Sequence, residues 1–405
     1  MAAEQLIVPD FDTYPVTHAL EEAWVIDGGV KLRWDDGLES RLPVLWLREF
    51  SPDISTFHAI TREQMIKLTE IPADLIASEA TIAQDGFLSV LWEPESLSSR
   101  YHPGWLRAHI PDTPDAIFAL PERQLWRDAD HKKATWFDGN AVREGRHGVF
   151  KEWVEAIHIH GVGLLRGLPA EPAIIPEIPD LIGPVRTTNF GSIYEVINRP
   201  DANSNAFTAI ALAAHTDLAT REYVPGLQFL FCLVNDVVGG NSILADGFSI
   251  AEQLKQESAE FYEVLSTVAI PFGTKDKNSD YRYTAPVLEH DCEGKLSALR
   301  YTYWLRSPMS GSFDTITTFY AAFRRLQEIA NDPANQIDFR LNPGEMMAFD
   351  NRRILHGRAA FDPASGKRLL RGCYGEREDL ESCLRILNRK ERKRAATSRH
   401  TASSE

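Results

Sequence analysis

The sequence predicts a mainly β protein with flanking helices: a double-sheet barrel preceded by a small β-rich N-terminal domain. Three observations predict it. Residues 21–50, EEAWVIDGGVKLRWDDGLESRLPVLWLREF, alternate apolar and polar positions, with DGG and DDG marking turns between short strands. Beyond residue 146 many short strand-like runs recur with few helices, one of the all-β solutions to exposed sheet edges. Between the two patterns, 111–145 is rich in proline and charge and reads as a connector.

Taken in order, the N-terminal domain continues through a short helical stretch near TREQMIKLTEIP and a second strand set, TIAQDGFLSVLWEPE, and ends near residue 110. RHGVFKEWVEAIHIHGVGLLRGLP opens the second domain, 146–389, as an amphipathic helix, a glycine stop and a strand. Strands are predicted at 205–213, 227–234, 283–289, 297–303 and 346–351, and helices at 249–267 and 313–331. The end, 390–405, is basic, then small and polar, and reads as a disordered tail.

Composition bounds the function. The chain has 405 residues, 43% of them hydrophobic and 25% charged, enough for a large core in two domains. A net charge of −15 argues against nucleic acid and anionic membrane as partners, since phosphate binding needs a concentrated positive field. Small molecules and other subunits remain. Cys232, Cys292, Cys373 and Cys383 show no paired spacing, as befits a reducing compartment. The N-terminus MAAEQLIVPDFDTYP lacks a basic-then-apolar leader, and no run approaches about 18 apolar residues. A soluble cytoplasmic protein is expected.

The stretch ALAAHTDLAT places His215 and Asp217 two apart in an apolar run. On a strand such residues share a face and can hold a metal, although a buried histidine–aspartate pair is also ordinary structure. GEMMAFDNRRILHGRAAFD then supplies His356 near the end of another strand, followed by Gly357 and Arg358. Two histidines and a carboxylate make the facial triad of non-heme Fe(II) oxygen chemistry, which leaves positions for a bidentate co-substrate and O₂. If that co-substrate is 2-oxoglutarate, its far carboxylate needs a planar cation. KRLLRGCY offers Arg368 and Arg371, which on one strand face opposite sides, so at most one points inward. Ser242 in GGNSILADG can add a hydroxyl.

The segments HTDLATREYVPGLQFLFCLVNDVVGGNSILADGFSI, LNPGEMMAFDNRRILHGRAAF and KRLLRGCYGEREDLESCLRIL resemble the gamma-butyrobetaine and trimethyllysine dioxygenase family of Fe(II)/2-oxoglutarate oxygenases. LRWDDGLESRLPVLWLRE extends the resemblance into the N-terminal domain. It implies a double-stranded β-helix (jelly-roll) core, iron on His215, Asp217 and His356, and 2-oxoglutarate at Arg368 rather than Arg371, with Ser242 and Arg358 beside it. Ascorbate as reductant and a homodimer are also implied.

The family cages a trimethylammonium head in aromatic rings, whose faces attract a cation that cannot donate hydrogen bonds. Carried over, the cage is Phe190, Tyr194, Phe207 and Tyr374; without the resemblance, Phe190 and Phe207 read equally as core. The carboxylate-binding asparagines fall near Ser204, with Asn203 and Asn205 beside it, and in the Thr302–Tyr303 pair of LRYTYWLRSP, where the amides are lost. Arg300 or Arg306, turned inward, would suit a more highly charged tail such as a phosphonate. The family's cysteine-rich zinc site after WLR reads here as WLREFSPDISTFH, with Ser51, Asp53 and Thr56, so no zinc is expected; His58, His102 and His109 read as surface histidines.

The expected function is therefore hydroxylation of a small trimethylammonium compound such as gamma-butyrobetaine, with decarboxylation of 2-oxoglutarate to succinate and CO₂. Asp217 argues against halogenation, which places a small residue there. Alternatives are the same chemistry on trimethyllysine or 2-(trimethylamino)ethylphosphonate, a non-catalytic quaternary-ammonium binder, and a zinc-type hydrolase, which leaves Arg368 unexplained.

Overall fold

The computed structural model describes residues 8–110, 119–127, 135–198 and 207–402. The chain divides into two compact units, residues 1–119 with 388–405, and residues 120–387.

In the first unit, alternation builds two three-stranded antiparallel sheets: Leu20–Ile26, Gly29–Trp34 and Glu39–Pro43, then Ile76–Ile82, Leu88–Glu93 and Leu97–Tyr101. Val30, Leu32 and Trp34 point inward from one strand and Leu88, Val90 and Trp92 from another, and they meet Leu42, Leu47, Tyr101 and Trp105 in a shared core. The positions that correspond to zinc ligands are engaged in hydrogen bonds. Asp53 accepts from Ser51, Ser55 and Thr56; Ser51 also meets Ser99; Arg48 donates to Thr56 at 2.9 Å and pairs with Glu95 at 2.6 Å. His58 accepts from the Thr61 N–H, His102 caps the helix Pro103–His109 through the Trp105 N–H, and His109 bonds the Trp105 carbonyl. These three histidines form no common cluster among the described residues.

Where a disordered tail is expected, the helix Arg377–Ala402 continues. LRILNRKERKRAA contains neither glycine nor proline and is rich in helix formers. Arg389 and Arg392 both pair with Asp12, at 2.9 and 2.8 Å. The stretch expected as a connector also contributes structure: Trp136–Asp138 runs parallel to Val162–Arg166, and a short helix, Gly139–Arg143, follows.

The second unit is the double-stranded β-helix. A six-stranded sheet has the order Trp136–Asp138, Val162–Arg166, Met346–Asp350, Leu227–Asn235, Arg368–Gly375 and Tyr194–Val196. A four-stranded sheet has the order Leu212–His215, Ile354–Arg358, Ser242–Asp246 and Gln336–Phe339. The helix His147–His160 buries Phe150, Trp153, Val154 and Ile157 with Phe229, Phe231, Met346 and Ala348 of the larger sheet. It stops at Gly161, whose φ of 78° suits glycine. Helices Gly247–Glu257, Ala259–Thr267 and Phe313–Ala330 share a core with Ala214, Ala245 and Leu355 of the smaller sheet.

The helix predicted over 249–267 is two, because Ser258 leaves helical conformation and its hydroxyl accepts from the Phe261 N–H at 3.2 Å. The strand predicted at 297–303 ends at Leu299. Of the strand predicted at 205–213, the structure places Leu212–His215; residues 205 and 206 lie outside those described. Behind the smaller sheet Arg353 and Asp246, both fully buried, pair at 2.8 Å, and Arg353 also donates to the carbonyls of Ile159 and Gln124.

Candidate active site

His215 ends its strand directly opposite His356 in the neighbouring strand, with ring centroids 4.3 Å apart. Asp217 lies two residues past the strand, before Leu218 at φ 57°, and this turn brings its carboxylate back toward both rings. His215 Nε2 is 3.2 Å from Asp217 Oδ1, and His356 Nε2 is 3.8 Å from Oδ2. One donor atom from each residue lies within 4.8 Å of the others. His215 Nδ1 is 3.0 Å from the Ala213 carbonyl. A carbonyl only accepts, so Nδ1 carries the proton and Nε2 keeps its lone pair.

Electrostatics agrees with metal binding. Burial alone would raise the pKa of Asp217, but His356, His215 and the Tyr374 hydroxyl outweigh it and hold the carboxylate ionised well below its usual range. Burial, reinforced by His215, pushes His356 down to about 3, leaving a neutral imidazole. Two neutral imidazoles and one carboxylate fit Fe(II) with open positions. The backbone of Asp217 is pinned by Asn351: the Asp217 N–H donates to Asn351 Oδ1 at 2.8 Å, and Asn351 Nδ2 donates back to the carbonyls of Asp217 and Pro225 at 3.2 and 3.1 Å.

A cavity of about 310 Å³ opens onto the triad. Ser242, Arg358 and Arg368 line one part. Arg368 is buried, has no ion-pair partner among the described residues, and leaves its Nε without a hydrogen bond. A buried guanidinium without a counter-charge is costly, so this one awaits an anion from outside. Burial, then neighbouring Arg358, lowers it to about 10, still cationic at neutral pH. Arg358 donates to the carbonyls of Thr208 and Ile210, and both guanidiniums lie over the Phe361 ring. Arg371 faces the other way, paired to Glu195 at 2.9 Å. Arg368, Arg358 and Ser242 thus fit the far carboxylate of 2-oxoglutarate.

Phe190, Tyr194, Phe207 and Tyr374 all line the same cavity. Tyr194 and Tyr374 stack at 5.1 Å, and Phe190 lies 6.4 Å from Tyr194. Tyr194 crosses Gly372, where a Cβ would come within 2.5 Å of its ring, so the glycine of RGCY lets that ring lie against the strand. Ser204 and Asn205 lie outside the described residues. From LRYTYWLRSP the ring on the cavity wall is Trp304, edge-on to His215 at 4.5 Å; Tyr303 packs behind it at 4.6 Å. Arg300 grips Glu289 and the carbonyls of Ala219, Arg221 and Glu222, and Arg306 lies over Phe323, so neither turns into the cavity. Arg221 and Lys275 do line it; Arg221 bonds Asn189 and lies 3.3 Å above the Tyr281 ring.

Gln228, Trp304 and Asn351 are site residues that motif reading passes over. The signal for Gln228 is a lone amide in the apolar run LQFLFCLV, and for Asn351 its place in DNRRILHG. Trp304 lies beyond the strand that ends at Leu299, so strand alternation carries no information about where its ring points.

Residues 133–374 match the taurine catabolism dioxygenase TauD, TfdA family. The chain is 39% identical over 389 residues to gamma-butyrobetaine dioxygenase from Pseudomonas sp. (strain AK-1), covering 94% of this chain and 100% of that protein. It is 27% identical to trimethyllysine dioxygenase from Meyerozyma guilliermondii, over 89% of this chain and 93% of that one. With human gamma-butyrobetaine dioxygenase the identity is 25%, over 92% and 98%.

Proposed function

Because the chain belongs to the taurine catabolism dioxygenase TauD, TfdA family, we propose that it hydroxylates a small trimethylammonium substrate, gamma-butyrobetaine first among them. It is an Fe(II)- and 2-oxoglutarate-dependent dioxygenase. The observation that carries the substrate reading is the match over the whole length of the Pseudomonas gamma-butyrobetaine dioxygenase, joined to four aromatic side chains on the wall of the triad cavity.

His215, Asp217 and His356 would hold the iron; Arg368, with Arg358 and Ser242, would hold the far carboxylate of 2-oxoglutarate. With O₂ these groups supply the oxidant for an unactivated C–H bond, and 2-oxoglutarate leaves as succinate and CO₂, with ascorbate keeping the iron reduced. The chain supplies orientation and exclusion of water. Phe190, Tyr194, Phe207 and Tyr374 hold the cationic head by their ring faces. Trp304 and Leu230 close the wall beside the triad, and Arg221 and Lys275 give the anionic tail a cationic surface. With Arg300 and Arg306 turned away, the ground for a doubly charged tail moves to Arg221 and Lys275, and these two cations favour 2-(trimethylamino)ethylphosphonate as the second reading.

Cytoplasmic placement and a homodimer complete the proposal. All four cysteines are free, as suits a reducing compartment, and the family resemblance suggests the dimer. No described helix is long and apolar enough to cross a membrane.

The test is succinate formation with Fe(II), ascorbate and 2-oxoglutarate against gamma-butyrobetaine, trimethyllysine and 2-(trimethylamino)ethylphosphonate. Strongest stimulation by gamma-butyrobetaine is expected, strongest stimulation by another would reassign the tail, and stimulation by none would refute the head-group reading.

A further inference from the structure

We infer that Gln228 and the Tyr374 hydroxyl are positioning residues that determine which oxygen of Asp217 meets the metal, and that they connect occupancy of the aromatic cage to that oxygen. The inference rests on the reading of His215, Asp217 and His356 as the iron site.

Gln228 is buried in a strand whose other buried side chains are almost all apolar, directly opposite Tyr374 on the next strand. A buried amide is costly there unless it is hydrogen-bonded. Its nitrogen spends both N–H groups: Nε2 donates to Asp217 Oδ2 at 2.9 Å and to the Tyr194 hydroxyl at 2.8 Å. Its Oε1 has no partner. The orientation of the amide is therefore set by the carboxylate, which can only accept, and not by satisfaction of the amide itself. Tyr374 donates to the same Oδ2 at 2.7 Å. A carboxylate oxygen can only accept, so the proton of this contact sits on the Tyr374 hydroxyl.

Two donors on Oδ2 occupy that atom and fix the rotation of the group. Oδ1, facing His215 Nε2 at 3.2 Å, is left with open lone pairs and is the metal-facing oxygen. The same two contacts run from the cage. Tyr194 and Tyr374, stacked on one another on the cavity wall, put their hydroxyls on Gln228 and Asp217. A quaternary ammonium ion over these rings pulls electron density from them and makes the hydroxyl of Tyr374 a stronger donor. The hold on Oδ2 then tightens, and the rotation of the carboxylate that presents Oδ1 is more firmly fixed when the cage is full.

Co(II) is a probe that needs no turnover. The full-length protein with 2-oxoglutarate is titrated with Co(II), and its visible ligand-field absorption is recorded before and after addition of tetramethylammonium, the head group alone. The variants are Tyr374→Phe, which keeps the ring and removes one oxygen, and Gln228→Met, close in size and unable to donate. Wild type is expected to bind Co(II) and to change its spectrum when tetramethylammonium is added. Each variant is expected to bind Co(II) about 10- to 100-fold more weakly, the usual effect of losing a partner of a metal ligand, and to show a smaller spectral change. If Gln228→Met fails to fold, Tyr374→Phe decides alone. Variants with wild-type Co(II) affinity and an undiminished spectral change would overturn the inference and leave the iron site standing. Failure of wild type to bind Co(II) would overturn the iron site itself.

Discussion

Arg368 is a buried cation with no counter-ion among the described residues, which makes it the residue whose role is easiest to test. Replacing it by methionine removes a charge-assisted contact worth about 2–3 kcal/mol, so KM for 2-oxoglutarate is expected to rise roughly 30- to 150-fold. Lysine at this position is expected to restore little, because a point charge cannot form the two parallel contacts of a guanidinium. Succinate formation as a function of 2-oxoglutarate concentration checks both, and an unchanged KM in the methionine variant would place the co-substrate elsewhere. Phe207→Ala removes one face of the cage and is expected to raise KM for the ammonium substrate about 5-fold, or ~1 kcal/mol, with little change in KM for 2-oxoglutarate. These residues were legible in sequence for different reasons. His215, Asp217 and His356 are proposed from ligand type and the two-residue spacing of the first pair, although the strand stops at His215 and a turn, not strand alternation, brings Asp217 round. Strand alternation lets only one of Arg368 and Arg371 face inward and the family resemblance chooses Arg368; in the structure Arg371 is the one paired with Glu195. The four aromatic residues are grouped only through the family resemblance, since an aromatic residue on a strand looks the same in a core; the structure places all four on one cavity wall. Gln228 and Trp304 stayed hidden because their roles depend on which neighbour the fold places opposite them.

Among the elements, the strand Arg368–Gly375 serves two parts of the cavity: Arg368 at its start and Tyr374 near its end, with Gly372 beneath Tyr194. Gly372→Ala forces a Cβ to within 2.5 Å of the Tyr194 ring. Overpacking of this kind costs about 1–3 kcal/mol, so a lowered Tm and weaker binding of the ammonium head are expected together, and a normal Tm with normal affinity would show that the ring is free to move. Arg353, in the turn leading into the His356 strand, is held by Asp246. Arg353→Met leaves that carboxylate buried and unpaired, which costs about 3–5 kcal/mol and is expected to appear as a lower urea midpoint. Elements with a strong period were readable: the strand at 227–234 and the helix at 313–331 lie within a residue or two of Leu227–Asn235 and Phe313–Ala330. Breaks set by one side chain were not, as at Ser258, where an apolar period runs on past a serine whose hydroxyl competes for the backbone. The terminal helix was misjudged for the opposite reason: its charged composition suggests solvation, while its lack of glycine and proline lets the helix persist.

At the scale of the molecule, buried neutral histidines link folding to pH. Burial lowers both His356 and His158 from their ordinary values, His356 to about 3. The unfolded chain therefore binds protons that the folded chain does not once the pH falls below about 6.5. Stability is full above that value and drains as the pH drops toward 3. Urea unfolding of metal-free protein is expected to give a lower midpoint at pH 5 than at pH 7, and equal midpoints would mean that these histidines take up protons without unfolding. The double-sheet architecture was readable from strand density and turn punctuation, and the match over residues 133–374 agrees with it. The direct test of the central claim is turnover of gamma-butyrobetaine under ¹⁸O₂ with Fe(II), ascorbate and 2-oxoglutarate, read by mass spectrometry. The account predicts one labelled oxygen in succinate and one in a hydroxylated trimethylammonium product, in equal amounts. Label confined to succinate, with gamma-butyrobetaine unchanged, would contradict it.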